Sequence, residues 1–118
     1  MENNFNKILE NKMSKFAHLV YRASKNFPKE EIYGITSQLR RAALSVVLNY
    51  VEGYARSRTL VFINFLETSY GSLKESVYLL NFSQEEGYLD ESSLKEALGL
   101  ADEIGAMLWK TIKSLKNR

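Results

Sequence analysis

Side chains suited to acid–base or metal chemistry are scarce in this sequence. The chain has one histidine, His18, and no cysteine, so thiol nucleophiles, thiolate metal sites and disulfides are excluded. A di-iron carboxylate site in a helical bundle needs two Glu-x-x-His pairs, which one histidine does not provide. The carboxylates of Glu52, Glu67 and Glu75 remain, and we interpret them first as salt-bridge or solvated groups. We predict no catalytic residue, no metal and no cofactor; an enzyme using these carboxylates is the least favoured alternative.

Phosphate binding is the chemistry that the charged residues favour. The chain has 16 basic and 14 acidic residues, so only the distribution of charge is informative. Residues 85–103 contain seven acids and one lysine, whereas residues 104–118 contain basic charges and no acid. The candidate nucleic-acid contacts are Lys7, Lys12, Lys15, Arg56, Arg58, Lys110, Lys113 and Lys116; Arg118 adds only to the basic charge counted in residues 104–118.

Hydrophobic periodicity places these residues on helices. Apolar residues recur at steps of three and four in four segments, which predicts helices over about residues 5–26, 35–54, 60–86 and 91–116. The predicted boundaries are marked by Pro28, by Gly53 as a terminator, by Thr59 as a cap, by Gly87 as a left-handed C-cap and by Asp90 or Ser92 as a cap. No strand pattern or hairpin turn competes with the helices. The predicted fold class is all-α.

Short connections between amphipathic helices favour antiparallel neighbours, hence an up-down-up-down four-helix bundle in one domain over residues 1–118. In that topology the start of helix one, the helix two–three connection and the end of helix four lie together. One end of the bundle should then be basic and the other acidic. Compensation of the helix macrodipole explains the charges of helix four but not the lysines of helix one. Nucleic-acid binding at the basic end is therefore our hypothesis, and a protein–protein adaptor is the alternative.

Helix two carries more apolar surface than a monomeric bundle buries. Besides its core stripe it has Leu44, Val47, Leu48 and Val51 around the remaining circumference, which predicts self-association. The helix also carries Arg41 and Glu52, which are eleven residues and about 16 Å apart along the axis. They are too far apart to bridge each other, so we expect each to find a partner on another helix or another chain.

The compartment is constrained by what the sequence lacks. No apolar run approaches the roughly 20 residues that span a bilayer, and the first residues are polar without a cleavage pattern. The apolar fraction of 45% and charged fraction of 25% are those of a chain that folds. We expect a cytoplasmic protein with no membrane association.

The residues of helix two and its flanks also resemble a known family. The stretch from Phe27-Pro28 through Tyr33-Gly34 to Gln38-Leu39-Arg40-Arg41-Ala42-Ala43, then Ser45, Asn49, Glu52-Gly53, Arg56, Phe62, Phe65-Leu66, Gly71-Ser72-Leu73, Glu75 and Gly87-Tyr88-Leu89, carries the resemblance. It is similar to the bacterial four-helix-bundle proteins first met as products of intervening sequences in 23S ribosomal RNA genes. The similarity covers nearly the whole chain.

The resemblance implies a bundle that assembles as a ring-like homopentamer, without known enzymatic activity and with a suspected role in nucleic-acid binding. A related branch comprises the accessory variability determinants of diversity-generating retroelements, which assist a reverse transcriptase and its template RNA. The polar residues of helix two that match the family pattern have two readings, RNA contact or a structural network. We favour a structural or interface role for Arg40, Arg41, Leu48, Asn49, Val51 and Glu52, and keep Arg56 and Arg58 as ligand candidates.

Overall fold

The computed structural model describes residues 4–117 and contains the four predicted helices. Their bounds are α1 Asn4–Ser24, α2 Ile35–Tyr54, α3 Thr59–Glu85 and α4 Glu91–Lys116. A short 3-10 turn at Lys29–Glu31 follows Pro28 in the connection between α1 and α2. No strand occurs within residues 4–117. The all-α prediction is confirmed, with α2 and α4 at the predicted bounds and α1 ending earlier than residue 26.

The helices form an antiparallel up-down-up-down bundle, as predicted. Both α1 and α3 pack against α2 and α4, whereas the diagonal pairs make no close backbone contact within the described residues. The start of α1, the α2–α3 connection and the end of α4 therefore share one end, which we call the basic end. The α1–α2 and α3–α4 connections share the opposite end, which we call the acidic end.

The core consists of the apolar stripes that the periodicity predicts. Its fully buried side chains include Leu9, Met13, Phe16, Val20, Leu39, Val46, Leu66, Leu73, Leu80, Ile104, Leu108 and Ile112. Tyr50 is the largest fully buried side chain, and its hydroxyl donates a hydrogen bond to Asn6. This bond satisfies the only polar atom of the ring and fixes α2 against the first turn of α1, beside the basic end.

Small residues bring α2 and α3 unusually close together. The buried Ser69 hydroxyl donates 2.6 Å to the carbonyl of Val46, and the Ser72 hydroxyl donates 2.8 Å to the Ser45 hydroxyl. Gly53 is buried where the two helices converge toward their connection. An added Cβ there would lie 3.1 Å from Phe65 Cβ and 3.1 Å from the Phe62 ring. Gly53 lies inside α2 and has no left-handed φ, so its role is close packing and not the helix termination that we predicted.

Alanine at two helical glycines should have opposite effects on stability. In Gly71→Ala the new methyl meets no atom of the described residues within 4 Å, so better helix propensity raises the free energy of unfolding by about 0.5–1 kcal/mol. In Gly53→Ala the methyl crowds Phe62 and Phe65, and this overpacking lowers the free energy of unfolding by about 1–2 kcal/mol. Urea unfolding of both variants measures the difference; equal stabilisation by the two changes would show that the α2–α3 contact is loose.

Apart from Gly53, the predicted helix-end residues behave as expected with one exception. Gly87 has φ 81°, and the amides of Gly87 and Tyr88 donate to the Gln84 and Ser83 carbonyls, which is the Schellman pattern. Asp90 caps α4 by accepting from the Ser93 amide at 2.6 Å, and this bond lowers the pKa of the Asp90 carboxyl. The prediction for Thr59 is wrong: α3 begins at Thr59, Arg58 occupies the cap position, and no side chain of the described residues caps it.

Candidate nucleic-acid interface

A cleft of about 560 Å³ opens at the basic end, between the α2–α3 connection and the end of α4. Its cationic residues are Arg56 and Arg58 from the connection and Lys110 from α4. Ser57, Thr59, Thr111 and Ser114 add hydroxyl groups to the same walls. We call this feature the basic cleft. Guanidinium, ammonium and hydroxyl groups are the donors that proteins direct at phosphate oxygens.

Aromatic rings, together with Leu115, form the apolar wall of the basic cleft. Tyr54 and Phe62 stand edge to face with centroids 4.7 Å apart, and Phe5 from the first turn of α1 joins them. Tyr54 also packs edge to face on the buried ring of Tyr50, at 5.0 Å. Tyr54 keeps 46% of its surface exposed, so it presents apolar area to the cleft. Aromatic surface beside cations suits the unstacked bases of a single strand.

The two arginines of the connection differ in whether they are paired with a carboxylate of the described residues. Arg56 donates to the carboxylate of Glu52 in an i,i+4 ion pair, and its guanidinium lies 5.0 Å from the centroid of the Phe65 ring. Arg58 and Lys110 form no ion pair with any described residue. Arg56 therefore shapes the wall, whereas Arg58 and Lys110 are the cations available to a ligand. Glu52 therefore pairs with the connection that directly follows its own helix, and the expected partner on another helix or chain was wrong.

Two lysines of α1 lie away from the basic end, contrary to our prediction. The Lys12 ammonium donates 2.7 Å to Glu103 of α4, and the bond lowers the pKa of the Glu103 carboxyl. Lys15 lies eleven residues after the start of α1, about 16 Å along its axis. It lines a shallow depression with Glu96 and Glu103. Both lysines therefore lie beside the acidic part of α4, and Lys12 forms an ion pair with it.

The other predicted cations occupy the rim of the basic end. Lys7 is exposed in the first turn of α1, and Lys113 is exposed in the last turn of α4. Lys116 also lies in that last turn, but its ammonium bridges Glu67 of α3 at 2.6 Å. Arg118 lies outside the described residues. The predicted cluster thus contracts to Arg58 and Lys110 in the basic cleft, with Lys7 and Lys113 nearby.

The residues predicted to be structural fall into two groups. Arg40 Nε donates 2.8 Å to the Ser24 hydroxyl, and its guanidinium lies 4.8 Å from the centroid of the Tyr21 ring, so it joins α2 to the end of α1. The Asn49 amide donates to both oxygens of Ser45 at 2.8 Å, beside the bond from Ser72 of α3. Arg41, Leu48 and Val51 instead lie exposed on the outside of α2.

The carboxylates considered for catalysis do not converge. Glu52 pairs with Arg56, Glu67 pairs with Lys116, and Glu75 is exposed. No group of three or more His, Asp or Glu side chains that could hold a metal ion occurs among residues 4–117. His18 is exposed on α1.

Sequence reasoning missed the aromatic half of the basic cleft. Tyr54 and Phe62 flank Arg56 and Arg58 in the sequence, and this placement of two aromatic residues around two basic ones was the available signal. Phe5 had no such signal, since it reaches the cleft only through the packing of α1. None of the helices in the described part of the chain is long and apolar enough to cross a bilayer.

The architecture and the cleft define an all-α, four-helix-bundle protein with a basic, aromatic-lined end. A model of the 23S rRNA-intervening sequence protein family matches residues 6–110, so the chain belongs to that family. A crystal structure of a protein of unknown function from the S23 ribosomal protein family of Bacteroides thetaiotaomicron is similar in fold, with a TM-score of 0.85. The two sequences are 21% identical over 92% of this chain and 98% of the other. No curated protein matches this chain.

Proposed function

We propose that this protein is a non-enzymatic, cytoplasmic, homo-oligomeric bundle that binds RNA or DNA through the basic cleft. The observation that carries the proposal is the juxtaposition of Arg58 and Lys110, both without an ion-pair partner among the described residues, with the rings of Tyr54, Phe62 and Phe5. Cations contact the phosphates, whose spacing is the same in every sequence, and the rings stack on bases. Binding is accordingly tolerant of sequence and prefers single strands.

The start of α3 supports the same assignment. Its first amides have no side-chain cap among the described residues, and they lie at Thr59 on the wall of the basic cleft. Helix N-termini carry partial positive charge and free amide donors, so this end adds to the field of Arg58. A carboxylate cap at position 58 or 59 would have cancelled that field. The sequence places an arginine and a threonine there instead.

Self-association belongs to the proposal because of the exposed surface of α2. Leu48 and Val51 keep 59% and 46% of their surfaces exposed, and Leu44 and Val47 beside them are half-buried. We call these four residues the outer face of α2. Covering them with a second copy removes apolar surface from water and repeats the basic cleft in every subunit. Repetition turns weak single contacts into avidity, and a homopentamer is the assembly that the family resemblance implies.

The adaptor alternative rests on other exposed residues. Tyr78, Phe82 and Trp109 are exposed large hydrophobic residues on α3 and α4, on helices that do not include the outer face of α2. A protein partner, for example a reverse transcriptase that this chain assists, would cover such aromatic area and need no contact with the basic cleft. Binding that survives high salt and requires Trp109 would favour this alternative.

Salt dependence tests the proposed function. Retention of mixed-sequence single-stranded RNA should fall steeply between about 50 and 200 mM salt, because each phosphate contact releases a counterion. For a single strand, each phosphate contact contributes about −0.7 to the slope of log affinity against log salt concentration. We expect a slope that corresponds to several phosphate contacts per oligomer. An RNA of unrelated sequence should give the same slope. Absence of retention at about 50 mM salt would refute the proposal.

A further inference from the structure

A second pocket, of about 420 Å³, lies at the acidic end, where α1 leads into α2. Its walls include Lys25, Phe27, Lys29, Ile32, Thr36 and Arg40, and we call it the corner pocket. Thr36 is 18 residues before Tyr54 on α2, which places the two pockets about 27 Å apart along the helix. The corner pocket contains Phe27 and Arg40 of the family-like motif, for which the basic cleft gives no use.

A buried hydroxyl in the corner pocket lacks a partner. Thr36 is 2% exposed, and its hydroxyl makes no hydrogen bond to any residue that the structure describes. Buried hydroxyls in folded proteins almost always have a partner, since leaving one unsatisfied is destabilising. The other buried hydroxyl of the pocket, that of Ser24, donates 2.7 Å to the Val20 carbonyl and accepts from Arg40. The Thr36 hydroxyl is thus the buried polar group of this pocket that has no hydrogen-bond partner among the described residues.

Arg40 is held beside Thr36 with donors to spare. Its Nε donates to Ser24 and its Nη2 donates 3.3 Å to the Tyr21 carbonyl, while the Tyr21 ring lies under the guanidinium. These contacts fix the plane of the guanidinium, and Nη1 makes no bond with the described residues. A fixed guanidinium with a free edge suits the oxygens of a carboxylate or a phosphate.

The charges around the corner pocket are positive on balance. Lys25 and Lys29 are exposed and make no ion pair with any described residue. The nearby carboxylate of Glu31 is engaged elsewhere: one oxygen accepts from the Ile35 amide and the other from the Tyr88 hydroxyl, both at 3.2 Å. Glu30 is exposed on the same 3-10 turn. The Ile35 amide, the first of α2, already donates to Glu31. The positive charge that attracts an anion therefore comes from the side chains of Lys25, Lys29 and Arg40.

We propose that the corner pocket binds a small organic anion, a carboxylate or phosphate monoester on a compact apolar body. The anionic head accepts from Arg40, with Lys25 and Lys29 at the mouth. The Thr36 hydroxyl has almost no exposed surface of its own, so it donates to the same head after rotation about the Cα–Cβ bond. The apolar body contacts Phe27, which is buried, and Ile32, which keeps 47% of its surface exposed. This inference is independent of nucleic-acid binding at the opposite end.

Phenyl phosphate and phenylacetate are the probes, with inorganic phosphate as the arm that lacks an apolar body. Both organic anions should give saturable amide shifts at Thr36 and Lys29 in a ¹⁵N spectrum, at least roughly tenfold tighter than inorganic phosphate. Thr36→Val should raise the unfolding temperature of the free protein, because it removes an unpaired buried hydroxyl, and weaken phenyl phosphate about tenfold. Arg40→Gln should weaken it further, and Arg41→Gln, next to it but exposed on the outside of α2, should have no effect.

The same measurements can also contradict the proposed anion site. No saturation by either organic anion up to about 10 mM would overturn the proposal. So would a Thr36→Val protein that is less stable than the wild type, since the hydroxyl would then be satisfied within the protein, or one that binds phenyl phosphate unchanged. If RNA displaced phenyl phosphate and shifted Thr36, the pocket would hold nucleic-acid phosphates and the small-molecule assignment would be wrong.

Discussion

Replacing Arg58 and Lys110 together with glutamate should lower the affinity for mixed-sequence single-stranded RNA roughly 100-fold or more. Each of these cations lines the basic cleft without an ion pair among the described residues, so each is available to a phosphate. A hydrogen bond to a charged group is worth about 1.5–3 kcal/mol, and two such losses amount to two to four decades in affinity. The glutamates add repulsion. Fluorescence anisotropy at about 50 mM salt measures the loss.

A matched control carries the same change in charge elsewhere. Lys74→Glu with Lys95→Glu alters two exposed lysines, one near the middle of α3 and one near the start of α4. This pair should change affinity only by the general effect of net charge, well below the loss at the basic cleft. Both double variants should keep wild-type helicity, because none of the four side chains is buried. Equal losses from the two pairs would mean that RNA reads overall charge and not the cleft.

Aspartate at Leu48 or Val51 should break the oligomer into monomers. Both side chains lie on the outer face of α2, outside the core, and an unpaired charge buried between two subunits costs several kcal/mol. Light scattering after size exclusion should give a multiple of 13.6 kDa for the wild type and 13.6 kDa for each variant. Helicity should be unchanged. RNA retention should also fall, since a single basic cleft loses the avidity of the assembly.

The control for this experiment is Tyr33→Asp. Tyr33 is 95% exposed in the α1–α2 connection, so it tests whether any exposed apolar residue has the same effect. It should leave the oligomer intact. A wild-type protein that is monomeric at micromolar concentration would contradict the assembly. Loss of helicity in Leu48→Asp would instead assign that residue to the intramolecular core.

Periodicity predicted the helices because a buried stripe at steps of three and four requires only local sequence. The bounds of α2 and α4, the left-handed Gly87 and the Asp90 cap all follow from residues close together in the chain. Thr59 failed as a cap because Arg58 takes the extended conformation that precedes α3, which moves the first helical residue to position 59.

The candidate site was predicted only in part because it depends on register between helices. Placing Lys12 required the offset of α1 against α4, which sets it beside Glu103, and no single helix pattern contains that offset. The Phe5 ring reaches the basic cleft for the same reason. Arg56 was predicted to contact a ligand, but the i,i+4 spacing to Glu52 was readable in the sequence and indicates an ion pair. The clustering of basic residues in the sequence thus predicted which end of the bundle carries the candidate site. Which residues line the basic cleft depends on how the helices pack, and the sequence alone did not show this.

Crosslinking of RNA that contains 4-thiouridine, followed by mass spectrometry of the peptides, tests nucleic-acid binding at the basic cleft most directly. The rings of Tyr54, Phe62 and Phe5 are the surfaces on which we place the bases. Crosslinks should therefore concentrate in peptides that contain residues 54–62 and the first turn of α1, and they should disappear when Arg58 and Lys110 are replaced. Crosslinks confined to the acidic end, or a pattern that survives those replacements, would contradict the account.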